Sequence, residues 1–229
     1  MTVADYYDNV RDDVIAVLPA QLGSVLDVGC GNGATGATIL DQRRASVVDG
    51  IELDQAAAAA ARHRYRHVWT VDLDGGDAVT WIRKNLPQGY NTIMCNDVLE
   101  HVRDPWVLLE ALVTRLGRGG QLVVSLPNVQ CVEAVGPLLL GRFQYRDSGV
   151  LDRTHLRFFT RQTGRQLIEQ AGLEVAAEAV QRVGQSRPLV TRKLLQALGP
   201  FSVRQMIYLA RWPKARPASG PADSPPPSG

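Results

Sequence analysis

The sequence predicts an α/β fold in which a mostly parallel, seven-stranded sheet is doubly wound, with helices on both of its faces. Two observations predict it. Short β-rich runs alternate with segments of helical periodicity over residues 24–126, and two more strand-like runs follow later in the chain. Such alternation is typical of βαβ units, whose strands are parallel and whose crossovers are right-handed. The composition, with 45% hydrophobic and 21% charged residues, is that of an ordinary globular chain.

The individual elements follow from composition and periodicity. Strands are predicted at 24–28, 46–51, 67–71, 91–95, 121–126, 173–183 and 204–211. Helices are predicted at 34–44, 54–64, 77–86, 104–116, 128–140 and 160–171. The run QAAAAAARHR is the plainest helix, because nearly all of its residues are strong helix formers, and Asp54 directly before it is expected to be its N-cap. Residues 128–159 form an insertion after the fifth strand, and we expect it above the carboxyl ends of the strands, where open α/β sheets bind ligands.

We expect a single domain over residues 1–212, because no internal repeat or linker divides it. The tail at 213–229 holds six prolines and is predicted to be disordered, since it has too little apolar surface to offset its ordering entropy. No apolar run is long enough for a membrane span, and the N-terminus is too polar for a signal peptide. The three cysteines lack metal-ligand spacing, so we expect reduced thiols and a cytoplasmic protein.

A glycine-rich loop, VLDVGCGNGATG, follows the first predicted strand. Gly29, Gly31 and Gly33 allow a tight turn and a close backbone approach to a ligand at the next helix. Glu52, at the end of the second strand, fits an acceptor for ribose hydroxyls. GNGATG also matches the dinucleotide pattern GxGxxG, but that match begins two residues too late. Asp27 would repel a pyrophosphate and attract a cation, so the loop favours S-adenosylmethionine over NAD.

The chain resembles the class I S-adenosylmethionine-dependent methyltransferases, which have a Rossmann-like fold, over roughly residues 1–183. VLDVGCGNG is similar to their first motif, and GIELD, VDLD, NTIMCNDVLEHV and RLGRGGQLVVSLPN are similar to the segments that follow it. In this family Glu52 would hold the ribose, and Asp72 with Leu73 would flank the adenine, although Asp74 lies close enough to replace Asp72. The resemblance implies a cofactor site of Asp27, Gly29, Cys30, Gly31, Gly33, Glu52, Leu53, Asp72, Leu73 and Asn96.

A group of ionisable residues follows the fourth predicted strand, in NDVLEHV. Asp97, Glu100 and His101 would share one face of a first helical turn, and His155 in the insertion could join them. Carboxylates and imidazoles suit Mg²⁺ or another divalent ion. The arrangement resembles the E-x-x-E-H plus distal histidine metal site of small-RNA 3'-terminal ribose methyltransferases. It is also similar to the E-x-x-E-H of ubiquinone O-methyltransferases, with Asp97 in place of the first glutamate.

The interpretation that the sequence favours has no metal ion. Glu100 and His101 then shape the cofactor pocket, and His155 is a base or a substrate contact. A hydroxyl acceptor must lose its proton during methyl transfer, so either a base or a metal ion is expected, and His155 and His101 are the catalytic candidates. His63 and His67 lie away from the carboxyl ends of the strands, and we predict surface roles for both.

The insertion is rich in arginine. Its arginines, and those of the helix after it, are Arg142, Arg146, Arg153, Arg157, Arg161 and Arg165. Arginine binds phosphate and carboxylate groups, which makes an anionic small-molecule acceptor one hypothesis. The other hypothesis is that several of them pair with Asp147, Asp152 and Glu169. The string GRFQYRDSGVLDRTHLRFFT resembles bacterial methyltransferases of glycan and secondary-metabolite pathways, which implies O-methylation of a sugar-like or polyhydroxylated acceptor.

Several other functions remain open at this point. They are an N-methyltransferase, a metal-dependent RNA-terminal ribose 2'-O-methyltransferase, a cofactor-binding subunit without catalysis, and an NAD-dependent oxidoreductase, which Asp27 disfavours. The formal net charge is only +2, and no separate basic module is visible, so a nucleic-acid partner is not expected. The sequence leaves the oligomeric state open.

Overall fold

A computed structural model of the chain describes residues 10–184, 193 and 196–214. Its strands are β1 Gly23–Val28, β2 Ala45–Glu52, β3 His67–Thr70, β4 Tyr90–Asn96, β5 Leu116–Pro127, β6 Glu174–Arg182 and β7 Val203–Arg211. They form one seven-stranded sheet in the order β3-β2-β1-β4-β5-β7-β6. Neighbouring strands from β1 to β5 are parallel, whereas β7 is antiparallel to both β5 and β6. The predicted mostly parallel, seven-stranded sheet is therefore confirmed.

The helices cover both faces of this sheet. They are α1 Asp12–Ile15, α2 Ala34–Asp41, α3 Gln55–Ala61, α4 Ala78–Asn85, α5 Pro105–Val113, α6 Val132–Leu139 and α7 Arg161–Gln170, with 3₁₀ turns at Leu99–His101 and Gly199–Ser202. Alternate strand residues face opposite sides, so the sheet has two apolar cores. Ile39 of α2 and Ala58 of α3 pack into one core, and Leu109 of α5 and Leu167 of α7 pack into the other.

Side-chain caps fix where three of the helices begin. Asp54 precedes α3 and accepts a hydrogen bond from the backbone of Ala57, as its position before the alanine run predicted. Asp104 caps α5, whose first residue is proline, and Thr160 forms a capping box at the start of α7. Each cap satisfies a backbone N–H that has no partner inside its helix.

Several predicted boundaries were wrong. The helix predicted at 104–116 ends at Val113, and β5 begins at Leu116, because the GRGG run belongs to the strand. The helix predicted at 128–140 begins only at Val132. Asn128 precedes this helix and forms an isolated parallel β-bridge with Phe159. The bridge joins the two ends of the insertion. The short α1 was not predicted, because its four residues show no periodicity.

Other predictions about the whole chain have mixed outcomes. Within the described ranges, no helix is long and apolar enough to cross a membrane. Cys30, Cys95 and Cys131 are buried free thiols. The single domain over residues 1–212 stays a prediction, and the proline-rich tail from 215 onwards lies outside the described residues.

Candidate functional site

A cavity of about 1580 Å³ opens above the carboxyl ends of the parallel strands. Its walls include Asp27 of β1, Glu52 of β2 and Asn96 of β4, together with insertion residues from Arg146 to His155. The insertion therefore lies where it was expected. This edge of an open α/β sheet is the usual place for a ligand, because the strand ends and helix N-termini meet there.

The glycine loop is folded tightly between β1 and α2. The N–H groups of Gly29 and Cys30 both donate to the carbonyl of Ile51, at 2.8 and 3.0 Å. Gly29, Gly31 and Gly33 have φ values of +68°, +55° and +84°, a region in which L side chains are strained. A Cβ on Gly29 would also collide with the side chain of Val98. The backbone itself therefore forms this wall of the cavity.

Glu52 is held in a fixed orientation beside the loop. Its carboxylate accepts hydrogen bonds from the backbone of Gly31 at 2.7 Å, Leu53 at 2.8 Å and Asp54 at 2.9 Å. The side chain is buried, while Leu53 next to it is exposed. Three N–H donors preorganise the carboxylate and link the end of β2 to the glycine loop.

Asp72 and Asp74 both line the cavity but differ in their partners. Asp74 is bound by Arg103, whose backbone N–H and Nε donate to it at 2.7 and 2.8 Å. Among the described residues, the Asp72 carboxylate accepts only the backbone N–H of Asp74, at 2.9 Å. Because Asp74 is already engaged by Arg103, Asp72 is the more available acceptor of the two.

Asp27 is almost completely buried at the floor of the cavity. Its Oδ2 accepts a hydrogen bond from the hydroxyl of Tyr65 at 2.6 Å. Burial, with a smaller contribution from the nearby charge of Glu52, raises the pKa of Asp27, and the Tyr65 hydrogen bond lowers it; together they bring the pKa to about 7. A positively charged ligand would favour the ionised form, which agrees with the preference for a cation inferred from the sequence.

Asp97 does not join the other residues of the predicted metal site. It adopts a left-handed conformation, with φ of +55°, and forms an ion pair with Arg11. Gln205 Nε2 donates to it at 2.5 Å and Ser125 Oγ at 3.3 Å. Burial raises the pKa of Asp97, and the charge of Arg11 opposes that rise. The sequence predicted a regular helical turn that would direct the Asp97 side chain towards Glu100. The left-handed backbone at Asp97 directs that side chain to Arg11 instead.

Glu100, His101 and His155 do come together. A carboxylate oxygen and one nitrogen from each imidazole all lie within 4.8 Å of one another. His101 Nδ1 lies 3.2 Å from the carbonyl of Thr154, and His155 Nδ1 lies 3.1 Å from that of Val150. A carbonyl oxygen only accepts, so each Nδ1 must donate, and each neutral ring keeps its lone pair on Nε2.

The electrostatics of this cluster suit it to bind a cation or to accept a proton. Glu100 Oε2 is buried and has no hydrogen-bond partner among the described residues. Burial, and then the charge of Asp97, raise the pKa of Glu100 well above its usual value. Burial and the charge of His155 lower the pKa of His101. The cluster therefore has lone pairs, on Glu100 Oε2 and on the Nε2 atoms of the two histidines, that no described residue binds.

A sequence model of the family described as "Methyltransferase domain" matches residues 5–178. The chain belongs to this methyltransferase family. Its fold is that of the class I S-adenosylmethionine-dependent methyltransferases. A ubiquinone biosynthesis O-methyltransferase of Pseudomonas paraeruginosa is 33% identical over an alignment of 112 residues, with a coverage of 46% of this chain and 44% of that protein. The chain thus matches less than half the length of this curated relative.

Solved structures show the same fold at lower identity. A methyltransferase from Haloferax volcanii, solved in complex with the Trm112 methyltransferase activator, has a TM-score of 0.65 at 14% identity and covers 92% of both chains. An S-adenosylmethionine-dependent methyltransferase from Mesorhizobium loti has a TM-score of 0.60 at 20% identity, covering 87% of this chain and 96% of that one. At these identities the likeness extends to the fold alone.

The six arginines of the insertion and of α7 that the sequence singled out separate into those with carboxylate partners and those without. Arg153 pairs with Asp147, and Arg161 and Arg165 both pair with Glu178. Arg157 binds the carbonyl of Arg103. Arg165 is also 3.6 Å from Glu169, whereas Asp152 binds Thr154 instead of an arginine. Within the described ranges neither Arg142 nor Arg146 forms an ion pair, and Arg146 lines the cavity.

Sequence reasoning missed two residues that contact acids of the candidate site. Tyr65 contacts Asp27 from 38 residues away, and Arg11 reaches Asp97 from 86 residues away. Neither lies in a motif. The only sequence signal for Tyr65 is indirect, because Gly36 and Gly50 leave the space that its ring occupies.

Proposed function

We propose that this chain transfers the methyl group of S-adenosylmethionine to a hydroxyl of a small polyhydroxylated molecule. The observation that carries the proposal is that Glu100, His101 and His155 face the same cavity as the glycine loop and Glu52. Methyl transfer needs an acceptor oxygen held in line with the sulfonium methyl, and that oxygen must lose its proton. The loop supplies a place for the cofactor, and the cluster supplies groups that act on the hydroxyl.

The cofactor is held, in this proposal, by the residues that the sequence singled out. Glu52, kept in place by three backbone donors, accepts from the ribose hydroxyls. Asp27 faces the positively charged methionine end, and Asp72 with Leu73 lies beside the adenine. Asn96 Oδ1, which is buried without a partner among the described residues, is an acceptor for the cofactor's ammonium group.

The cluster also fits a divalent ion, held by a Glu100 carboxylate oxygen and the Nε2 atoms of His101 and His155. Two imidazoles and one carboxylate leave coordination positions open for water or for acceptor oxygens. Such an ion would supply a Lewis acid that lowers the pKa of an acceptor hydroxyl. We leave Asp97 out of the ligand set because Arg11 already neutralises it. The unpartnered oxygen of Glu100 makes this interpretation stronger than a metal-free base.

The acceptor class rests on two supports. The curated relative carries the name of an O-methyltransferase, which favours oxygen over nitrogen as the target. Arg146 lines the cavity without an ion pair in the described residues, and a carboxylate or phosphate on the acceptor would satisfy it. The three buried free thiols fit a reducing compartment, and we propose the cytoplasm.

The proposal is tested by incubating the purified protein with S-adenosylmethionine and measuring S-adenosylhomocysteine. The acceptor panel comprises a catechol, a hexuronic acid, an aryl amine and a short RNA. Each is assayed with Mg²⁺ or Mn²⁺ and again after treatment with EDTA. We expect turnover with a hydroxylated acceptor and loss of most of it on chelation. Turnover with the amine alone would contradict O-methylation, and full activity in EDTA would exclude a role for a metal ion.

Histidine variants separate the cluster from the rest of the chain. His155→Ala should lose most activity while still binding S-adenosylmethionine, because His155 lies on the acceptor side of the cavity. His63→Ala is the matched control, since His63 is exposed and its neighbours do not line the cavity. Equal turnover in the two variants would exclude His155 from the reaction.

A further inference from the structure

Tyr65 lies in the turn between α3 and β3 and is buried, with 5% of its surface exposed. Its hydroxyl makes two hydrogen bonds. It donates to Asp27 Oδ2 at 2.6 Å and accepts from the backbone N–H of Gly36 at 3.1 Å. Gly36 belongs to the first turn of α2, so one hydroxyl connects the end of β1 to the helix that follows the glycine loop.

The surroundings of Tyr65 are shaped to admit its ring. A Cβ on Gly36 would collide with the hydroxyl, and a Cβ on Gly50 would lie 3.0 Å from the ring. A Cβ on Gly33 would lie 3.1 Å from the same ring. Three glycines from the loop, α2 and β2 thus allow a bulky phenol to reach a carboxylate beneath the cavity.

The charges around Asp27 explain what the hydroxyl does there. The ionisable groups that face it are Glu52 of β2, Cys30 of the loop, Cys95 of β4 and Tyr65 itself. None of these is a cation. Within the described ranges, no lysine, arginine or histidine forms an ion pair with Asp27. A buried carboxylate without a counter-charge is costly, and a hydrogen bond to it partly offsets that cost.

We propose that Tyr65 is a positioning residue of the cofactor site, whose hydroxyl fixes the Asp27 carboxylate beneath the glycine loop so that the cationic end of S-adenosylmethionine supplies its missing counter-charge. This inference rests on the proposed cofactor. It adds that cofactor binding and ionisation of Asp27 occur together. In the free protein the pKa of Asp27 is about 7, so near neutral pH the arriving cation displaces a proton from part of the molecules.

The experiment compares Tyr65→Phe with Tyr90→Phe, because the chain contains a second tyrosine of the same kind. The Tyr90 hydroxyl donates to a buried aspartate, Asp49, at 2.7 Å, but neither residue lines the cavity. Tyr65→Phe loses two hydrogen bonds of a buried hydroxyl and Tyr90→Phe loses one, so both variants should lose thermal stability. Only Tyr65→Phe should change the binding of S-adenosylmethionine.

Binding is measured by calorimetry at pH 7 in two buffers of different ionisation enthalpy, which gives both Kd and the number of protons released. The wild type should release roughly half a proton from Asp27, because a group with a pKa near the solution pH is half protonated. Tyr65→Phe should bind about 10-fold more weakly and release more protons, since removing a donor to the ionised carboxylate raises its pKa. Tyr90→Phe should match the wild type in both.

The outcomes are separable. If the wild type does not bind S-adenosylmethionine, both the proposed cofactor and this inference are overturned. If the wild type binds but Tyr65→Phe matches it, or both variants weaken binding equally, Tyr65 has no positioning role and the proposed cofactor stands. Should Tyr65→Phe fail to fold, Gly36→Ala displaces the hydroxyl instead and should weaken binding, with Gly136→Ala, another helical glycine, as its control.

Discussion

Two buried aspartates on neighbouring strands of the same sheet have opposite environments. Asp49 on β2 is 1% exposed and Asp27 on β1 is 3% exposed. Each accepts a hydrogen bond from a tyrosine hydroxyl, at 2.7 Å from Tyr90 and 2.6 Å from Tyr65. Asp49 also forms an ion pair with Arg66, whereas Asp27 has no cationic partner among the described residues.

The difference teaches how to recognise a ligand site from electrostatics. The chain itself supplies both a cation and a hydrogen-bond donor to the Asp49 carboxylate. Arg66 links Asp49 of β2 to the connection into β3, and Tyr90 links it to β4. Asp27 makes the same kind of hydrogen bond but lacks the positive charge, and it faces a cavity. A buried acid in this state either holds a proton or needs a cation from outside the chain.

The largest expected effect is on the stability of the ligand-free protein. Burial raises the pKa of Asp27 to about 7, so between about pH 4 and pH 7 the folded state binds more protons than the unfolded state. Stability therefore falls as pH rises through this window and stays lower above it. Asp27→Asn should remove this loss, by up to about 4 kcal/mol at pH 8.

Urea unfolding of the wild type and Asp27→Asn at pH 5 and pH 8 measures the loss. The stability gained by the variant should be larger at pH 8 than at pH 5. Asp49→Asn is the matched control and should be destabilised at both values, because it weakens an existing ion pair. If the stabilities of the wild type and of Asp27→Asn change in parallel with pH, the pKa of Asp27 is not raised.

The same substitution should weaken cofactor binding. Asp27→Asn is expected to bind S-adenosylmethionine about 100-fold more weakly, since a charge interaction in a buried site is lost. The loss for S-adenosylhomocysteine should be smaller, because that product has no sulfonium charge. Calorimetry with both ligands gives the ratio, and an equal loss for the two would show that Asp27 does not respond to the cofactor's charge.

Glu100 is a third buried acid, and it forms no ion pair with any of the described residues. If its unpartnered oxygen binds a metal ion, Glu100→Gln should weaken Mn²⁺ binding by at least about 10-fold, because an amide is a poorer ligand than a carboxylate. Binding is measured by titration of the ligand-free protein. Glu110→Gln, an exposed acid of α5, should have no effect. Unchanged Mn²⁺ affinity in Glu100→Gln would exclude the metal site.

The smallest effect on cofactor binding is expected at Arg66. Arg66→Ala should lower the free energy of unfolding by about 1 to 3 kcal/mol, because it leaves the buried Asp49 carboxylate with the Tyr90 hydroxyl but without its ion pair. It should leave the Kd for S-adenosylmethionine unchanged. Chemical denaturation and calorimetry on the same preparation check both. A change in cofactor affinity would show that the two aspartates are not independent.

The parts of this molecule that the sequence predicted are those determined by neighbouring residues. The alternation of β1 to β5 with helices is local, as are the turn at Gly29 to Gly33 and the position of Glu52 at the end of β2. Asp54 was recognised as a cap for the same reason.

What the sequence did not predict depends on tertiary packing. Arg11 and Tyr65 reach their aspartates only after the sheet has assembled. Asp97 was grouped with Glu100 by helical spacing, but its left-handed backbone and the ion pair with Arg11 direct it elsewhere. Spacing rules assume a regular turn, and a single residue with positive φ is enough to defeat them.

The close fit of Gly36 beneath the Tyr65 hydroxyl has an evolutionary consequence. In GNGATG the last glycine, Gly36, makes room for a phenol that lies 29 residues away in the sequence. A pattern search for GxGxxG would therefore place this chain among dinucleotide-binding proteins by coincidence. Among relatives, substitutions at these two positions should occur together: where residue 36 carries a side chain, the residue at position 65 should be smaller.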